Sequence, residues 1–98
     1  MSLDNSYRFE LLKNEAEGLV FDELESQLDT YGAGICRCDD CVMDMAAMAL
    51  NSVKPMYRFS LMGKLYAAQA MHDQAYADSV QQAVSNAIAK VSSNPSHQ

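Results

Sequence analysis

The chain has 98 residues, 13 acidic side chains against 7 basic ones, and a formal charge of −6 at pH 7. That length makes one domain, spanning 1–98, with a shallow core that a metal staple or a second subunit would reinforce. The acidic balance argues against direct nucleic-acid binding and against adsorption to anionic membranes.

The N-terminal stretch MSLDNSYRFE has no basic n-region and no apolar h-region, so no secretory signal is expected and the cytoplasm is the expected location. The longest apolar run, Met45 to Leu50, is too short to span a bilayer. From Phe9 onward, apolar residues recur as Leu12, Ala16, Leu19, Val20, Leu24, Leu28 and Tyr31, which is helical spacing. Asn14 and Glu17 have capping-box spacing, so the first main helix is predicted to start there, after a short turn or helix. Gly32 and Gly34 stop it.

A second helix is predicted from about Asp39 to Leu50, with Asp39 and Asp40 suiting its positive end and with Asn51 and Pro55 terminating it. Met56 to Gly63 reads as extended or irregular. A third, long helix is predicted from about Lys64 to Val91, its apolar line running from Tyr66 through Val80, Val84 and Ile88. The tail from 92 onward, with SSNPSHQ, reads as frayed, leaving a core of about 14–91. No alternation points to a sheet. The expectation is an all-α domain of three main helices in an intertwined or packed homodimer; the alanines of the third suit close helix–helix approach, and the first and third helices are the expected dimer contacts. Met43, Met45, Met48 and Met56 suggest an adaptable interface.

All three cysteines fall in Cys36-x-Cys38-x2-Cys41, at the entry to the second helix. An odd number of thiols without a signal sequence reads as reduced. Three soft sulfurs from a tight loop can occupy three corners of a tetrahedral zinc site, and first-turn amides stabilise the charge they bring. For the fourth corner, Asp39, Asp40, Asp44, His72, His97, a water or a group from another chain are candidates. Buried inert thiols are the plain alternative, and Cys38 with Cys41 as a redox pair is a third, though no βαβ pattern surrounds them.

Beyond the cysteines stand Asp44, Ala46, Ala49, Leu50, Asn51, Pro55 and Tyr57. This run resembles the late-competence development protein ComFB family, whose signature is roughly C-x-C-x2-C-x2-D-x2-A-x-A-L-N-x3-P-x-Y. Upstream, Asn14, Glu17, Leu19 and Val20 also follow the family pattern. The resemblance implies a small, all-helical, dimeric, zinc-binding regulatory protein rather than an enzyme. Some members look like receptors for cyclic di-GMP. Some carry a further cysteine near the C-terminus, and this chain has none after Cys41.

Charge is segregated along the chain. Eleven of the thirteen acids lie between Asp4 and Asp44, whereas Met45 to His72 holds no acid and the three bases Lys54, Arg58 and Lys64. Tyr57, Phe59 and Tyr66 lie in the same segment. Guanidinium forks match phosphate oxygens and aromatic faces stack on bases, so these residues, with Arg37 beside the cysteine loop, are the candidate ligand contacts. Core cover by the aromatics is the alternative. No glycine-rich phosphate loop, nucleophile triad or carboxylate pair points to catalysis. Three readings follow: a cyclic-dinucleotide receptor acting on an unidentified protein partner, an adaptor in competence or motility regulation that binds no small ligand, and a thiol redox protein.

Overall fold

The computed structural model describes residues 3–95. A four-residue α1 (Leu3–Ser6) and a 3-10 turn at Phe9–Leu11 lead into β1 (Lys13–Asn14) and α2 (Ala16–Tyr31). A second 3-10 turn, Gly32–Gly34, precedes α3 (Asp39–Ser52), β2 (Tyr57–Arg58), α4 (Leu61–Met71) and α5 (Gln74–Ser93). Gly32 ends α2 at φ 61°, a left-handed conformation that side chains with a Cβ disfavour.

The core is a layer of three helices. Val20, Leu24 and Leu28 of α2, Met45 and Ala49 of α3, and Val80, Val84, Ile88 and Val91 of α5 are all buried. Their spacing keeps each set on one helix face. The most extensive packing joins α3 to α5, where Ala46, Ala49, Ala83 and Ala87 keep both buried faces small. Met45, Val84 and Ile88 are fully enclosed.

A clasp closes the layer at the start of α2. Lys13 pairs with Arg58 and Asn14 with Tyr57 in a two-residue antiparallel ladder. The Asn14 Oδ1 accepts from the Ala16 N–H at 3.1 Å and from the Met56 N–H at 2.8 Å, and the Glu15 N–H donates to the Met56 carbonyl at 2.8 Å. One amide side chain thus starts a helix and holds a segment 42 residues away. The N-cap of α2 is Glu15, and the Asn14 side chain bonds the N–H of Ala16 rather than that of Glu17 as a capping box requires.

The sequence reading needs four corrections. The expected single helix over Lys64–Val91 is two helices. Asp73 adopts an extended conformation (φ −69°, ψ 129°), and its carboxylate accepts from the Ala75 N–H at 3.2 Å, making it the N-cap of α5. The helix before it begins at Leu61, so Gly63 is helical rather than irregular. Asn51 lies inside the last turn of α3, whose cap is Val53. The four methionines do not share a surface: Met45 is enclosed, Met56 partly buried, and Met43 and Met48 exposed. His97 lies outside the described residues. Among the described residues no helix is long and apolar enough to cross a membrane.

Candidate functional site

The cysteine loop enters α3 through Cys38, an extended residue (φ −68°, ψ 162°) that caps the helix with sulfur in place of the usual oxygen. Its Sγ accepts from the Cys41 N–H at 3.5 Å, and the Val42 N–H donates to its carbonyl at 3.0 Å. The i, i+3 step puts Cys41 one turn into α3, buried under the core, while Cys36 stays at the surface. The three Sγ atoms lie within 4.8 Å of one another. Bonds of about 2.3 Å to a tetrahedral zinc set sulfurs roughly 3.8 Å apart, so a small contraction of the loop closes the set around one ion.

The thiols divide electrostatically. Hydrogen bonding from the Cys38 backbone, and then from its side chain, lowers the Cys36 pKa. Burial pushes the Cys41 thiol up to about 12, and the neighbouring sulfurs add to the rise. A metal would have to displace the Cys41 proton, because the thiolate is the ligand. This donor set fits a soft divalent metal. Among the described residues the clustered donor atoms are these three sulfurs. Asp44 lines a cavity with Asn51 and Lys90 between α3 and the end of α5. His72 is exposed, between α4 and α5, and Asp39 and Asp40 are exposed in the first turn of α3.

The basic segment is spread around the clasp. Arg58 is ion-paired through its Nε to Glu15, both side chains being about 30% exposed. Its charge is therefore partly matched, which a count along the sequence does not register. Lys54 and Lys64 are exposed. The Lys54 carbonyl accepts from the Tyr76 hydroxyl at 2.7 Å, and burial raises that phenol's pKa. Tyr57, Phe59 and Tyr66 are 62, 58 and 69% exposed, so none of them serves as core cover. Phe59 meets Tyr7, Arg8 and Phe9 around a cavity of about 420 Å³, while Tyr66 lies beside Met62 and Leu65 on α4. Tyr7, Arg8 and Phe9 were missed in the sequence; the signal was the SYRF string, which repeats the aromatic–basic pattern of Tyr57-Arg58-Phe59.

Arg37 belongs elsewhere. It pairs with Asp29 at 3.5 Å, near the C-terminal end of α2, whereas Arg58 pairs with Glu15 just before that helix begins. Fourteen helical steps separate the two acids, or about 21 Å at 1.5 Å per residue. One chain therefore does not bring Arg37 and Arg58 onto one small ligand. Arg37 instead borders an apolar groove of about 430 Å³ between α2 and α3, lined by Phe21, Leu24, Leu28, Val42 and Met43.

A sequence model of the family described as late competence development protein ComFB matches residues 13–95. Among solved structures, that of the late competence protein ComFB from Bacillus subtilis is similar, with a TM-score of 0.69 and 26% sequence identity. The match covers 87% of this chain and 92% of that one. No curated protein matches the sequence significantly.

Proposed function

The chain belongs to the late competence development protein ComFB family, and from that membership we propose that it is a zinc-stapled, dimeric, non-enzymatic receptor for cyclic di-GMP that acts on a protein partner in the cytoplasm. Cys36, Cys38 and Cys41 would hold the zinc, which supplies a cross-link between the loop after α2 and the start of α3. The observation that carries the ligand reading is the exposure of Tyr57, Phe59 and Tyr66 on a segment whose only charges are Lys54, Arg58 and Lys64. Flat aromatic faces stack on guanine, and the guanidinium of Arg58 suits a phosphate or a guanine edge. Glu15 holds Arg58 in place before the ligand arrives, and the ligand must share or replace that contact.

Calorimetric titration of metal-loaded protein with cyclic di-GMP tests the reading. Losing a charge-assisted contact costs about 1.5–3 kcal/mol, so Arg58→Ala is expected to weaken binding about tenfold or more. Lys90→Ala, on the far end of α5, is expected to leave it unchanged. Equal small effects from the two variants remove Arg58 from the site. Absence of heat with the wild-type chain returns the function to the adaptor reading, which the apolar groove between α2 and α3 also favours.

The dimer contact was expected on the first and third main helices. The apolar face of α5 is instead consumed by the chain's own core. We place the second copy on α4, where Leu61, Met62 and Leu65 are 57–73% exposed. Light scattering at micromolar concentration is expected to give twice the chain mass, and Leu65→Glu the mass of one chain. A wild-type monomer at every concentration ends the dimer reading.

A further inference from the structure

The groove between α2 and α3 runs along α2 from Phe21 to Leu28, beyond the clasp at that helix's start. Phe21 and Met43 on its walls are 47% and 62% exposed, large apolar side chains with no cover of their own. Glu25 is on its wall, and helical spacing puts Glu17 on the Phe21 stripe of α2 and Asp39 on the Val42–Met43 stripe of α3. Arg37, the basic residue at the groove, is matched by Asp29 at 3.5 Å. The rim is therefore net negative around an apolar floor.

We infer that this groove docks a cationic amphipathic helix of a protein partner. The apolar stripe from Phe21 to Leu28 extends about 10 Å, two helical turns, which takes two or three anchors at i, i+3/i+4 and i+7. Carboxylates at the rim select lysine or arginine flanking those anchors and reject acidic helices. A second copy of this chain is a poorer occupant. Its exposed apolar helix, α4, would meet the groove head to tail, and such a contact between unlike surfaces does not close as a dimer unless it is made twice. The inference rests on the protein-partner half of the reading above and supplies that partner's chemistry. It does not use the dinucleotide half.

The probe is a fluorescein-labelled helix of about 18 residues made of leucine and lysine, with leucines on one face. Anisotropy is read against the metal-loaded chain at about 0.15 M salt. Binding in the micromolar range is expected, with no binding of the analogue that has glutamate in place of lysine. Met43→Lys is expected to weaken binding about tenfold or more, and Phe21→Ala to weaken it in the same direction. Met48→Lys makes the same charge change on the other side of α3, where Met48 borders the Asp44 cavity, and is expected to stay within about twofold. Equal loss from the two lysine variants overturns the inference, because it means adsorption to a generally acidic surface. No binding by the wild type at about 100 µM probe also overturns it. So does a Met43→Lys protein whose mass in light scattering falls to half that of the wild type, which makes the groove a contact between copies. The probe contains no nucleotide, so failure here leaves the dinucleotide titration standing, and the reverse.

Discussion

Cys38→Ser is expected to abolish metal binding and to lower stability only in the metal-loaded protein. Cys38 caps α3 with its sulfur and is one of the three proposed ligands, and serine keeps the capping role. Serine oxygen is among the better N-caps, so the metal-free variant should match or slightly exceed the metal-free wild type. A metal bound only by the folded state contributes about 4 kcal/mol at 1,000 times its Kd, and this amount should vanish in the variant. The measurement is a pair of urea titrations with and without chelator, beside metal analysis of protein purified without chelator. One zinc per wild-type chain and none in the variant is the expected count. Three freely titratable thiols in fresh, reduced wild-type protein would remove the metal. Equal destabilisation with and without chelator would mean that the sulfur matters through packing alone.

The second large effect belongs to the core. Ile88 is fully enclosed on the face of α5 that packs against α3. Ile88→Ala is expected to cost about 2–5 kcal/mol through lost burial and the cavity left behind. Small domains have about 5–15 kcal/mol in total, so the variant should be close to unfolding at 37 °C. In a domain of this size the melting temperature falls about 4–8 °C per kcal/mol. The comparison is made at one protein concentration, because subunit association adds to apparent stability. The exposed Gln82→Ala serves as control and should shift stability by no more than about 0.5 kcal/mol. A loss below about 1 kcal/mol from Ile88→Ala would mean that α5 is not seated as described.

Much of this arrangement was readable in the sequence, for identifiable reasons. The apolar spacing of α2 survives intact in Val20, Leu24 and Leu28, because a helix with one buried face must repeat at that period. The cysteine spacing carried its geometry with it: a loop residue, a cap and a residue one turn later necessarily bring three sulfurs together. The break between α4 and α5 was hidden because neither glycine nor proline marks it. Asp73 interrupts an alanine-rich run whose period continues on both sides, and only its extended conformation reveals the cap. The two-residue ladder was invisible since Lys13–Asn14 and Tyr57–Arg58 are too short to alternate. Arg58 looked like a free charge because its acid lies 43 residues earlier. The groove was split between two helices, and neither Phe21 nor Met43 belongs to the buried stripe of its own helix.

The clasp at Asn14 also constrains the order in which the chain can assemble. Closing a 42-residue loop from an open chain costs about 3 kcal/mol by loop entropy alone. Once α3 has docked back along α2, only the residues between Ser52 and Met56 remain to be spanned, and most of that cost has already been met by core packing. Asn14 and Met56 therefore meet cheaply after the α2–α3 pair has formed and expensively before it. The chain from Tyr57 through α4 follows from that junction, so the surface proposed to read a ligand is put in place after the layer that supports it.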